Sequence, residues 1–225
     1  MAVGHVPCGI AIPQSFANAP VDVTLIKGFV SKAETLGYDS LWVQEQIISD
    51  IAILEPVTLL TYAAAVTAQL RLGTSVLVPV IRNPVQLAKS LATLDQLSQG
   101  RVIVGVGIGG PHIPEATFGV SNQRRVRRFL NEVGRDPKTF PLSKRVYIAV
   151  DDNRDRAERR LREWFGLRYK NPDMASHVSI WGSRTECIDK LGQLVRAGAQ
   201  HLILNPVFDE MEHLVLLAGE IVPQL

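Results

Sequence analysis

Two runs of β-branched and apolar residues, LGTSVLV from Leu72 to Val78 and RVIVGVG from Arg101 to Gly107, flank a segment where Val85, Ala88, Leu91, Leu94 and Leu97 recur at helical spacing. Alternating runs of this kind predict a strand, a helix and a second strand, a βαβ unit over Arg71 to Gly110. Strands apolar along nearly their whole length belong to a parallel sheet covered on both faces, and the crossovers in such sheets are right-handed. A ligand site is therefore expected past the carboxyl ends of these strands, near Pro79 and from Gly107 to Gly110.

The same pattern extends to either side. Cys8 to Ile12 predicts a strand. Val21 to Leu36 predicts a helix with Val23, Ile26, Val30 and Ala33 on one face, Asp22 at its amino end and Gly37 past its end. Asp39 to Val43 predicts a strand followed by the polar cluster Gln44, Glu45 and Gln46, and a second helix is expected from Pro56 to Gln69. Beyond Gly110 the rhythm fails: a loop from Pro111 to Asn122 leads to a basic amphipathic helix, Gln123 to Gly134, and a turn-rich RDPKTFP. A strand over Lys144 to Val150, helices over Asp155 to Phe165 and Thr185 to Ala197, a strand over His201 to Asn205 and a helix over Asp209 to Val222 complete the pattern. This gives six strands, whereas a closed (β/α)8 barrel needs eight.

Composition narrows the class. The chain has 225 residues, 46% of them hydrophobic and 20% charged, enough to fold as one domain by burial alone. A net charge of +2 is too small to argue for nucleic acid or an anionic membrane surface. No run approaches the roughly 20 apolar residues of a membrane helix, and MAVGHVPCGIAIPQ lacks the basic start and apolar core of a secretion signal, so a cytoplasmic protein is expected. Cys8 and Cys187 have no metal-ligand spacing and read as reduced thiols, and no metal site is expected.

The segments LWVQEQ, LGTSVLVPVIRNPVQLAKSLATLDQLSQGRVIVGVGIGG, GRDPKTF and GAQHLILNP closely resemble the bacterial luciferase-like monooxygenase family. The resemblance covers nearly the whole chain. It implies a TIM (β/α)8-type barrel, an oxidoreductase or monooxygenase activity on a small organic substrate, and a flavin or deazaflavin cofactor, coenzyme F420 or FMN. It also implies a gap. Members of the family carry two further βα units where Phe129 is here joined to Leu130, so the expectation is an incomplete barrel of residues 1–225 lacking about two units. In the family the loops after those strands hold the cofactor phosphate through backbone N–H groups. A barrel shortened in this way exposes an edge and is expected to associate, as a homodimer. The rival expectation is a non-catalytic remnant that serves as the subunit of a full-length homologue.

The resemblance assigns cofactor contacts position by position. Ser75 and Val76 stand where members of the family carry a non-prolyl cis peptide that supports the cofactor ring. Glu45 and Gln46 stand where deazaflavin-dependent relatives carry an Asp-His pair; glutamate can still meet the cofactor, but an amide cannot move a proton. Gly107 and Gly110 would let a flat ring approach the backbone, with Gly110 at a position where some relatives have a catalytic glutamate. No catalytic residue is assigned.

Several features carry less. Gly105, Gly107 and Gly110 spell GxGxxG, but the match follows the fourth strand and leads into PHIPEATFG, so a dinucleotide fingerprint is disfavoured. The cluster of Arg124, Arg125, Arg127 and Arg128 reads first as a solvated helix face. His112 is a lone loop histidine, and Trp42, Trp164 and Trp181 read as packing residues.

Overall fold

The computed structural model describes residues 6–17, 20–107 and 143–225. The strands in order are β1 (Cys8–Ala11), β2 (Ser15–Phe16), β3 (Ser40–Val43), β4 (Ala52–Ile53), β5 (Arg71–Leu77), β6 (Val102–Val106), β7 (Ser143–Val150), β8 (Ser179–Gly182) and β9 (His201–Pro206). The helices are α1 (Val23–Thr35), α2 (Pro56–Val66), α3 (Pro84–Leu97), α4 (Arg154–Tyr169), α5 (Met174–Val178), α6 (Arg184–Arg196) and α7 (Glu210–Leu216).

Local chemistry sets the helix starts. Asp22 accepts the Leu25 N–H at 2.8 Å, Asn83 accepts those of Val85 and Gln86 at 3.0 and 3.1 Å, and Pro56 and Pro84 occupy first-turn positions where no N–H is needed. Ser183 and Glu186 form a reciprocal capping box on α6. One predicted face is turned: α3 buries Leu94 and lays Leu87 and Leu91 against the core, while Val85 and Leu97 are exposed. The stripe runs at i, i+4 and i+7 from Leu87, one of two interleaved apolar stripes in that helix.

Seven strands form one parallel sheet in the order β6-β5-β3-β1-β9-β7-β8, with β2 and β4 as a separate antiparallel pair. The third and fourth sheet strands of the sequence, β5 and β6, lie side by side as expected. Six strands follow the circular order of a (β/α)8 barrel, in which the first and last strands are neighbours; here β1 pairs with β9, Gly9 opposite Ile203. The seventh, β8, went unpredicted and pairs with β7 on its outer side, Ile180 opposite Ile148. The junction of Phe129 and Leu130 lies outside the described residues.

Alternation along the strands separates two faces. Ile10, Leu41, Val43, Leu72, Val146, Ile148, Leu202 and Leu204 join the main core with α1, α2 and α6. Tyr147 and Ala149, at the alternate positions of β7, pack with Ala157, Leu161 and Phe165 of α4 and with Trp181. The two helices flanking β8 therefore cover opposite faces. The chain steps from β7 to β8 in one direction along the sheet and from β8 back past β7 to β9 in the other, and right-handed crossovers in opposite directions require this. On the α4 face Trp42 bridges three strands: a Cβ on Gly9 of β1 would lie 2.2 Å from its Nε1, and one on Gly73 of β5 would lie 2.4 Å from its Cε3. Cys8 and Cys187 are free and buried.

Candidate functional site

The ladder between β5 and β6 runs in register through Thr74 opposite Val104 and resumes at Leu77 opposite Val106, so β5 carries an extra residue. Inside that bulge the Ser75–Val76 peptide is cis. Where the ladder is interrupted, the Thr74 hydroxyl takes over both backbone groups of Gly105, accepting its N–H at 3.0 Å and donating to its carbonyl at 2.9 Å. The Gly107 N–H then returns to the Leu77 carbonyl at 2.8 Å. Two glycines make the fit possible: a Cβ on Gly105 would lie 2.2 Å from the Thr74 carbonyl oxygen, and one on Gly107 would lie 2.6 Å from Val76 Cγ2. Val76 itself is 39% exposed, an apolar side chain left open at a strand end.

Glu45 holds this bulge from the side. Its backbone N–H donates to the Val76 carbonyl at 3.2 Å, and its carboxylate accepts the Val78 N–H at 2.5 Å and Arg82 Nε at 2.7 Å. The Glu45 side chain is 1% exposed and is enclosed by these partners. Arg82 also reaches Glu55 at 2.6 Å, whose carboxylate caps α2 through Val57 and Thr58. Although burial works against it, the N–H of Thr58 together with Arg82 holds the Glu55 carboxyl below its usual range.

A polar wall rises from β7 and α4 on the other side. Arg145 donates to the Ser75 carbonyl at 2.7 Å and also to the Tyr147 hydroxyl. The hydroxyls of Tyr147 and Tyr169 are 2.8 Å apart, and both reach Gln44 Oε1, at 3.3 and 3.0 Å. Burial pushes the Tyr147 hydroxyl well above its usual range, so it stays protonated. Arg168, in the last turn of α4, donates to Gln46 Oε1. Gln14 ties the ends of the first two sheet strands together: its amide nitrogen donates to the carbonyls of Gln44 and Leu54 at 2.7 and 2.6 Å, and its amide oxygen accepts the Gln44 N–H at 2.9 Å.

Ser75, Val76, Gly107 and Glu45 are thus gathered at the carboxyl ends of β3, β5 and β6. Gly110, His112 and the arginines from Arg124 to Arg128 lie outside the described residues. Sequence reasoning missed Arg145, Tyr147, Arg168, Tyr169 and Gln14. The first two carried a signal: in KRVYIAV, Arg145, Tyr147 and Ala149 alternate with Val146 and Ile148, which sets the polar pair on the face opposite the main core. Among the described residues no group of histidine, cysteine and acid side chains could hold a metal, and no helix is long and apolar enough to cross a membrane.

An uncharacterised protein of Mycobacterium tuberculosis is 49% identical over 79 residues, which are 35% of this chain and 28% of that protein. An F420-dependent glucose-6-phosphate dehydrogenase of Kineococcus radiotolerans is 36% identical over 106 residues, covering 45% of this chain and 31% of the enzyme. The chain thus matches only about a third of these relatives' length. Among solved structures, an F420-dependent secondary alcohol dehydrogenase in complex with an F420-acetone adduct superposes with a TM-score of 0.74 at 16% identity, over 98% of this chain and 99% of that one. The FMN-bound oxygenating component of 3,6-diketocamphane monooxygenase from Pseudomonas putida gives 0.66 at 14% identity, over 98% of each chain. At such identities the likeness establishes the fold, that of the TIM-barrel luciferase-like enzymes. The sequence profile of the luciferase-like monooxygenases matches residues 9–131, more than half of the chain, and this chain belongs to that family.

Proposed function

We propose that this chain is an oxidoreductase that binds a flavin or deazaflavin, coenzyme F420 or FMN, and acts on a small organic molecule. The observation that carries the reading is the bulge of β5 at Ser75 and Val76, set against Gly107 at the strand ends with Val76 left open. Gly105 and Gly107 let β6 lie against the bulge, where a Cβ at either would collide with its neighbour, and this packing leaves Val76 exposed as an apolar surface for a flat ring. When bound, the ring supplies hydride or oxygen-activating chemistry of its own. The chain's part is positioning. Ser75 and Val76 form the floor, Gly107 lies beside it, and Glu45 serves the site by fixing the carbonyl of Val76 and the N–H of Val78. Relatives named as F420-dependent, including a putative coenzyme F420-dependent oxidoreductase of Mycobacterium tuberculosis 38% identical over 90 residues, support the same choice of cofactors.

Titration of the purified protein with reduced coenzyme F420 and with FMN, followed by absorbance, fluorescence and calorimetry, tests this. Binding of one of them is expected, weakened at least tenfold, or about 1.4 kcal/mol, by Gly107→Val. The absence of both a spectral change and binding heat with each of the two compounds would overturn the proposal.

Two further parts of the reading have their own support. Val104 and Val106 on β6 are exposed, which favours association into a homodimer, measurable by light scattering. The two free buried thiols suit the reducing cytoplasm. A second reading, a non-catalytic subunit of a full-length homologue, draws support from Gln46, whose amide has no titrating proton and is engaged by Arg168. Co-purification with such a homologue, with activity restricted to the pair, would favour it over the first.

A further inference from the structure

On the α4 face two arginines, the buried Arg168 and the half-buried Arg145, have no carboxylate partner among the described residues. Arg168 is 4% exposed, and its Nε has no hydrogen-bond partner. Its other nitrogens meet neutral groups, the Gln46 amide oxygen and the Tyr169 hydroxyl, and no carboxylate among the described residues. Arg145 spends its donors on a backbone carbonyl and a phenol. Among the described residues no carboxylate pairs with either of them, whereas the exposed Lys170, two residues after Arg168, has Asp50 at 2.8 Å.

The two guanidinium groups belong to one cluster. Arg145 lies 4.8 Å from the Tyr147 ring centroid and Arg168 lies 5.3 Å from that of Tyr169, and the two phenol hydroxyls are hydrogen-bonded to each other. Burial, with the Arg145 charge adding to it, pushes the Arg168 guanidinium down from its ordinary range, yet an arginine does not give up its proton in a protein. A buried positive charge without an acid is costly, and so is a buried donor without an acceptor. Two of the neighbouring unsatisfied groups are donors as well, beside the Ser179 hydroxyl, which can donate or accept. Asn205 Nδ2 and Trp181 Nε1 are buried donors without partners; the sheet register sets Asn205 beside Tyr147 and Trp181 beside Ala149, on this same face. What the cluster lacks is acceptors and negative charge.

We infer that Arg168 and Arg145 bind an oxyanion, a phosphate or carboxylate group carried by a small molecule, at the wall formed by β7 and the end of α4. A guanidinium fork matches the two oxygens of such a group. Arg145 also donates to the Ser75 carbonyl, which places the oxyanion wall next to the bulge proposed to carry the ring. The inference deepens the oxidoreductase reading by naming an anionic class of ligand. Its test needs no redox cofactor, so the two can fail separately.

The test is binding of inorganic phosphate to the full chain at constant ionic strength, followed by melting temperature and by the fluorescence of Trp164, whose ring centroid is 5.4 Å from that of Tyr147. Phosphate is expected to raise the melting temperature of the wild type and to change the fluorescence. Arg168→Lys, which keeps charge and fold, is expected to weaken binding at least tenfold, and Arg168→Met to abolish it. FMN and riboflavin then identify the source of the oxyanion. Loss of phosphate binding in Arg168→Lys together with weaker binding of FMN but not of riboflavin assigns the group to the cofactor, while loss of phosphate binding with FMN unaffected assigns it to the substrate; either result upholds the site. A wild type indifferent to phosphate, or an Arg168→Lys variant with the full response, overturns it.

Discussion

Arg82 Nε donates to the Glu45 carboxylate at 2.7 Å, and this bond joins the segment after β3 to the turn after β5. The same carboxylate holds the Val78 N–H, so one acid secures both ends of the bulged region. Glu45→Gln leaves Arg82 with Glu55 alone and weakens the hold on Val78. Removing one member of an enclosed ion pair is expected to cost about 2 kcal/mol, read as a lower urea midpoint with unchanged slope. The loss should shrink when Arg82 is first replaced by Met, because the pair is then already broken.

Trp42 leaves no room above Gly73. A Cβ there would meet the indole, whose Nε1 is fixed by donation to the Ser40 hydroxyl at 2.8 Å. Gly73→Ala is therefore expected to destabilise by about 2 kcal/mol through overpacking. Trp42→Phe in the Gly73→Ala background should recover part of it, a coupling that denaturation of the four proteins measures directly.

Arg101 closes the end of α2. Its guanidinium donates to the carbonyls of Ala64, Thr67, Leu70 and Ser98 and to the Thr67 hydroxyl, at 2.7 to 3.1 Å. Carbonyls at a helix end have no partner within the helix, and a cation there is favoured. A lysine ammonium cannot span this set, so Arg101→Lys is expected to cost about 2 kcal/mol, and hydrogen exchange should quicken locally at the end of α2.

His213 is a neutral, fixed tautomer. Its Nε2 accepts the Val150 N–H at 3.0 Å, which leaves Nδ1 to donate to the Asp209 carbonyl at 3.1 Å. Burial lowers its pKa from the ordinary 6.5, and burial lowers that of His201 likewise. Just below pH 6.5 the unfolded chain takes up protons that the folded protein refuses, so stability falls as the pH is lowered through that window. Melting temperature against pH should show this acid slope, and His213→Gln, which keeps an acceptor toward Val150, should flatten part of it while His201 retains the rest.

Much of the sheet was legible because strands such as LGTSVLV and HLILN are β-branched apolar runs punctuated by glycine and turn residues. β8 was not: SIWG is too short to show a period, and it is a strand only because β7 offers an edge, a long-range fact. The cis peptide at Ser75 was legible through family resemblance alone, since nothing in the propensities of serine and valine announces it. The arginine wall was missed for a different reason. Arg168 belongs to a helix rich in arginines, and only the packing of α4 onto the Tyr147 face distinguishes it from its solvated neighbours Arg156 and Arg162.

The pairing of β1 with β9 has a consequence for how the molecule is made. A central hydrogen-bonded seam of the sheet unites two strands far apart in the sequence, Cys8 opposite Leu202. While the ribosome is still at work, the wing of β1, β3, β5 and β6 can assemble with one flank bare, and that flank is a template for any passing strand. A nascent chain stalled before His201 would carry a sticky margin in what becomes the middle of the finished sheet, and chaperone demand should last until β9 emerges.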